Sequence, residues 1–161
     1  MKCFKYAGSR ELVLRTKAYI AARDAQEMQT QTDMAAFELK SRMAFLHRRK
    51  KQEQVEKLRK QRIENCRLFA QAGTAFERAK LEQQAASCFF TARSYSKAAE
   101  LFKRQEMWAQ AAECLACLGQ SRLKEAARLF EQGGLVLRAI ECLERVEEWE
   151  HLLHCLNRNQ H

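Results

Sequence analysis

From Ala72 onward, small and large apolar residues return along the chain with a fixed step. AGTAF begins at Ala72, AASCF at Ala85, AAELF at Ala98, AAECL at Ala111, AARLF at Ala126, AIECL at Ala139 and LLHCL at Leu152. The step is 13 residues, with one step of 15 where Gly119-Gln120-Ser121 is inserted. Within a unit the small and the large residue stand three to four positions apart, on one helix face. Thirteen residues hold about ten in a helix, nearly three turns, and about three in a turn. The pattern therefore predicts helices centred near residues 76, 89, 102, 115, 129, 142 and 154, packed as antiparallel neighbours. A helix of about ten residues is marginal alone. Stacked between two others it buries its apolar face on both sides, which is the signature of an α-solenoid. The expected fold class is all-α: an α-solenoid of short TPR-like helical hairpins, with a long basic helix in the N-terminal half.

Each repeat position implies a packing role. Ala72, Ala85, Ala98, Ala111, Ala126 and Ala139 let a neighbouring helix approach closely, and Gly73 serves close packing in the same way. Cys88, Cys114, Cys142 and Cys155 hold the fourth position of their units, where Leu101 and Leu129 stand in others. A position shared by cysteine and leucine is an apolar packing position.

Upstream the pattern changes. Cys3-Phe4 followed by Ala7-Gly8 reads as the end of another such helix, so that Met1 enters a repeat midway and the chain is expected to be a piece of a larger protein. Leu12, Leu14, Ala18, Tyr19 and Ala22 mark an amphipathic helix over Ser9–Met28. A longer helical stretch begins near Asp33 with Met34, Ala35, Phe37, Met43, Phe45 and Leu46, then thins to Val55, Leu58, Ile63, Cys66 and Phe69. His47 to Gln54 contains no apolar residue and is expected to be a solvated helix or a frayed hinge. Three segments result: 1–32 as the end of a preceding repeat plus an amphipathic helix, 33–63 as a long basic helical segment, and 64–161 as the TPR-like repeats.

Composition sharpens this picture in two ways. Proline is absent from 161 residues, and proline breaks helix interiors. The net charge of +9 sits in one place: residues 40–67 hold 11 Lys/Arg against 3 Asp/Glu, and the rest of the chain is nearly neutral. The cluster Arg48, Arg49, Lys50, Lys51, Lys57, Arg59, Lys60 and Arg62 is thus the candidate contact for a polyanion or an acidic partner. Aromatics are nearly missing there, so a nucleic-acid contact would be weak and driven by charge rather than by stacking or base readout. No apolar run reaches the length of a membrane span, and no signal-peptide core opens the chain. Seven cysteines then point to a reducing, intracellular setting, cytoplasm or nucleus.

Catalytic chemistry is not expected. The chain has no G-x-x-x-x-G-K-[ST] phosphate loop and no G-x-G-x-x-G. Gly133-Gly134 reads as a helix-ending turn, as do Gly8 and Gly119. Cys114-x-x-Cys117 has the spacing of half a zinc site, and His151, His154 and Cys155 cluster. The repeat register assigns these cysteines to packing, so no metal, no cofactor and no catalytic residue is expected.

The segment CRLFAQAGTAFERAKLEQQAASCFFTARSYSKAAELF, Cys66 to Phe102, resembles the repeat region near the C-terminus of the TPR-and-ankyrin-repeat proteins. CFKYAG, Cys3 to Gly8, with Thr16 to Ala22 after it, looks like the unit that precedes it there. Those are large helicase-like proteins with a superfamily 1 (UvrD-like) ATPase core. The resemblance covers about half of the chain, and the basic residues Arg48 to Arg62 depart from it. It implies an accessory, non-catalytic scaffold for protein or inter-domain contacts, attached to an NTPase whose motifs this chain lacks. The competing readings are a charge-driven nucleic-acid-binding appendage and a solenoid subunit of an intraflagellar-transport or vesicle-coat type complex.

Overall fold

Why do short helices this poor in capping residues stop and restart so regularly? A computed structural model, which describes residues 2–43 and 48–158, shows the backbone doing the work that side chains usually do. Its described residues form eight α-helices and no strand: α1 (Lys2–Arg42), α2 (Arg48–Arg78), α3 (Glu82–Thr91), α4 (Tyr95–Arg104), α5 (Trp108–Cys117), α6 (Leu123–Gln132), α7 (Val136–Glu144) and α8 (Trp149–Arg158). A 3₁₀ turn, Gln120–Arg122, fills the 15-residue step. Each predicted centre falls inside a helix, towards its C-terminal end in α3 to α5, because each helix begins about one turn before its alanine pair.

Left-handed residues stand at Lys80, Arg93, Glu106, Gly119, Gly134 and Glu147, which is the 13-residue register again with its single step of 15. At four of them the backbone closes a Schellman pair. Lys80 N–H donates to Glu77 C=O and Leu81 N–H to Phe76 C=O. Glu106 and Met107 donate likewise to Lys103 and Phe102, Gly134 and Leu135 to Glu131 and Phe130, and Glu147 and Glu148 to Glu144 and Leu143. The residue after the left-handed one starts the next helix. Leu81, Ser94, Met107 and Leu135 accept from the first alanine of the following unit, at 3.0 to 3.1 Å. A turn thus consumes few residues, at the cost of about 1–2 kcal/mol wherever a side-chain-bearing residue takes the left-handed conformation.

The helices fall into two units, residues 1–93 and 94–161. In the first, α1 and α2 form a long hairpin with α3 packed on α2. Asn65 Nδ2 donates to Gln29 Oε1, and the rings of Tyr19 and Phe76 meet edge to face at 5.2 Å between centroids, so α1 and α2 run antiparallel. The seam is built from small residues. Ala18, Ala25 and Thr32 lie seven apart on α1 and are all buried, facing α2 with its buried Asn65, Phe69, Ala72, Gly73 and Phe76. The Thr32 hydroxyl is satisfied by the Met28 carbonyl at 2.8 Å.

This differs from the expectation in three respects. Helix α1 runs unbroken through Gly8 and through residues 28–33, so Gly8 ends no helix. Ala18, Ala25 and Thr32 make one seam across residues 28–33, which rewards a helix that runs through them without a break. The basic stretch from Arg48 is the first part of α2, and the unit at Ala72 is the last part of that same helix rather than a separate short one. Of the residues expected on a core face, Ala18 is buried, whereas Leu12 and Tyr19 are more than half exposed, because the buried face runs from Ala18 to Ala25 and Thr32. The expectations for Phe45, Leu46 and His47 lie outside the described residues.

In the second unit, α4 to α8 pack each on the next. The alanines and the large residues behave as the register requires: Ala98, Ala111, Ala112, Ala126, Ala127 and Ala139 are fully buried, with Leu101, Phe102, Leu115, Phe130 and Leu143 filling the space between. Ion pairs join helices two apart. Lys103 Nζ meets Glu125 Oε1 at 2.5 Å (α4 to α6), and Arg138 meets Glu113 at 3.1 Å (α7 to α5). Lys124 reaches Glu148, just before α8, at 2.7 Å. Such exposed pairs are worth about 0–1 kcal/mol each, so the apolar seams hold the unit. Hydrogen bonding from Lys103, then the Lys103 charge and Arg122, hold the Glu125 carboxyl below its ordinary value against the opposing effect of burial.

Candidate functional site

The thin apolar stripe of α2 does not disappear into a core. Val55, Leu58, Ile63 and Cys66 recur at spacings of three, five and three and so share one side of the helix. Val55 is 49% and Ile63 63% exposed. With Arg59 and Arg62, four and seven residues after Val55 on the same face, they line a groove of about 1060 Å³ in the first unit, together with Gln29 and Asp33 of α1 and Thr91, Ala92 and Arg93 at the end of α3. The left-handed turn at Arg93 ends α3 beside this groove.

The electrostatics of the groove are one-sided. Asp33, its one carboxylate, accepts from Gln29 Nε2 at 2.8 Å, and Gln29 Oε1 in turn accepts from Asn65. Arg59, Arg62 and Arg93 form no ion pair with any described residue. Three arginines therefore share the groove with apolar side chains and with a single carboxylate that is already engaged. A guanidinium presents a planar fork of donors suited to a carboxylate, and it desolvates more readily than an ammonium.

The eight basic residues expected to act as one cluster are divided by the helix. Arg59 and Arg62 line the groove. Arg48 and Lys51 stand seven and four residues before Val55 and so continue its face. Arg49 pairs with Glu53 at 3.7 Å. Lys57 and Lys60 share a shallow depression with Gln52, Glu53 and Glu56, a patch of mixed sign. Lys50 is exposed.

The thiols expected to pack are buried: Cys88, Cys114 and Cys142. Burial pushes the Cys88 thiol up to about 11 and Cys114 to about 12, and it also raises Cys142. A thiol so shifted is a poor nucleophile at neutral pH. Cys114 is buried, whereas Cys117 stands on the surface.

Sequence reasoning missed one constellation. His151 and Cys155 lie one turn apart on α8, and both meet the same oxygen of Glu131 at the end of α6. Their helical spacing was legible, but Glu131 comes from two helices earlier and nothing in the sequence linked it to them. The side chain of His154 lies outside the described residues. Among the described residues this is the place where His, Cys and carboxylate groups converge. No described helix is long and apolar enough to cross a membrane. No family model, no curated protein and no solved structure matches the chain.

Proposed function

We propose that the chain is a non-catalytic helical scaffold that holds a protein partner, and that the groove of the first unit takes an amphipathic helix bearing acidic side chains. The observation that carries this reading is the exposed Val55 and Ile63 in one groove with Arg59, Arg62 and Arg93. Isolated exposed apolar residues are ordinary, whereas a contiguous line rimmed by charge of one sign suits a partner of opposite sign. An amphipathic helix lays apolar anchors at i, i+3 or i+4 and i+7 into such a groove. Glutamates beside those anchors meet the arginines. The solenoid reading of the repeats fits this role, since stacked short helices offer an extended surface for contacts. It is supported by the recurring left-handed turns and by ion pairs between alternate helices in the second unit. The accessory role beside a helicase-like NTPase, and the transport- or coat-complex alternative, rest on residue resemblance in the repeats.

The test is fluorescence anisotropy with two designed helical peptides of identical leucine stripe, one flanked by Glu and one by Lys. The Glu peptide is expected to bind and the Lys peptide to fail. Ile63→Asp should abolish binding without altering helicity, since Ile63 is exposed. Arg59→Gln with Arg62→Gln should weaken binding roughly two- to tenfold, the yield of two exposed charge pairs. Equal affinity for both peptides, or indifference to Ile63→Asp, would remove this groove from the account.

A further inference from the structure

We infer that Glu131, His151 and Cys155 form a site for one divalent transition-metal ion, zinc being the ion their donor set favours. Helix α8 sets His151 and Cys155 at i and i+4, so both side chains leave the same face one turn apart. Helix α6 supplies Glu131 opposite them. His151 Nε2 stands 3.0 Å from Glu131 Oε1, and Cys155 Sγ donates to that same oxygen. One donor atom from each residue, sulfur, nitrogen and oxygen, lies within 4.8 Å of the other two. Zinc sits about 2.0–2.3 Å from thiolate, imidazole and carboxylate donors in a tetrahedral arrangement. A triangle of this size admits such an ion after small rotamer adjustments.

The balance of charge and protons is consistent. Binding breaks the Cys155 S–H bond and forms a metal–sulfur bond, and the proton leaves to the buffer. The double positive charge then faces one thiolate and one carboxylate, which neutralise it, while imidazole contributes a neutral nitrogen. That matters because Cys155 is 4% exposed, where an isolated thiolate would be costly. Glu131 and His151 are partly exposed, which gives an ion an entry path and leaves a fourth position for water. A set containing sulfur and nitrogen discriminates against magnesium and calcium, which prefer oxygen alone. The ion would tie α8 to α6, two helices apart, where the pair Lys124–Glu148 joins α6 to the start of α8 more weakly.

The test uses the full chain, reduced and stripped with a chelator. Titration with cobalt(II) should give one ion per chain, with the intense visible bands of tetrahedral cobalt and a near-ultraviolet thiolate charge-transfer band. Zinc should displace the cobalt and magnesium should not. About one proton should be released per ion. Cys155→Ser and His151→Ala should each weaken binding by at least roughly 100-fold, Glu131→Gln should weaken it by roughly tenfold or more, and Cys117→Ser should change nothing. Should a substitution loosen α8, the unmodified chain still decides. Zinc should slow alkylation of Cys155, mapped by peptide mass spectrometry, at least tenfold while Cys117 labels as before. Cobalt binding without the sulfur band, binding that survives Cys155→Ser, or unprotected Cys155 at a several-fold excess of zinc would each overturn the assignment.

Discussion

Gly73 offers a test in which two known effects oppose each other. It lies in the interior of α2, buried, where glycine costs about 1 kcal/mol of helix propensity relative to alanine. By propensity alone, Gly73→Ala should stabilise the chain. The added Cβ, however, would stand 2.9 Å from Phe89 Cε1 and 3.0 Å from Cδ1 and Cζ. Carbon atoms in good contact stand about 3.5–4.0 Å apart, so one edge of the ring must move by more than half an ångström. Phe89 is 1% exposed and has no open side to move towards. Overpacking of this kind costs about 1–3 kcal/mol. The net expectation is a loss of about 0–2 kcal/mol, read as a lower urea midpoint by far-ultraviolet circular dichroism. A second substitution turns a small number into a clear sign. With Phe89→Leu in place the obstruction is gone, and Gly73→Ala should then raise the midpoint by its propensity gain of about 1 kcal/mol. A gain from Gly73→Ala with Phe89 intact, equal to the gain with Leu at 89, would refute the close approach of α2 and α3.

Other substitutions probe the rest of the design. Ala98→Leu or Ala111→Leu should cost about 1–3 kcal/mol in thermal melts, because both alanines are fully buried, and an unchanged melt would reduce them to helix formers. Glu106→Gly should stabilise by about 1 kcal/mol by relieving its left-handed backbone, whereas Gly134→Ala should cost a similar amount, both read by urea titration. Cys88 and Cys114 should label at least about 100-fold more slowly than Cys117 at neutral pH and fully on denaturation. Their folded values lie above an unfolded value of 9.0, so the stability tied to the protonated thiols is complete below pH 9.0 and is lost as pH rises through about 11 and 12. A urea midpoint that does not fall over that range would contradict the burial of both thiols.

The repeats were legible because their packing pairs a small with a large residue at helical spacing, and from Ala85 onward each pair lies within one short helix. The turns were legible only as gaps: the left-handed residues are Lys80, Arg93, Glu106 and Glu147 as well as two glycines, and the former have no composition signal. The α1–α2 hairpin escaped because its seam uses Ala18, Ala25 and Thr32, of which only Ala18 stood in the expected stripe, while the conspicuous Leu12, Tyr19, Met34 and Phe37 stay exposed. In the groove, the apolar line and the arginines were both visible, but only the fold sets Arg93 beside Arg59 and Arg62. Glu131 is the same lesson in the second unit: a residue's partners two helices away are set by packing, which spacing along one helix does not encode.

On the proposed function, the basic half of α2 serves a protein partner through apolar contacts beside its arginines, and not a polyanion through charge alone. One titration separates the two: the Glu-flanked helical peptide and a duplex DNA, each against the full chain, from about 0.05 to 0.2 M salt. Peptide binding should persist at about 0.15 M salt and be lost in Ile63→Asp, while DNA binding should vanish over the same range. DNA binding that survives at about 0.15 M salt, falls with a log-log slope near −0.9 per phosphate contact and is flattened by changing Arg48, Arg49, Lys50 and Lys51 to glutamine would contradict it.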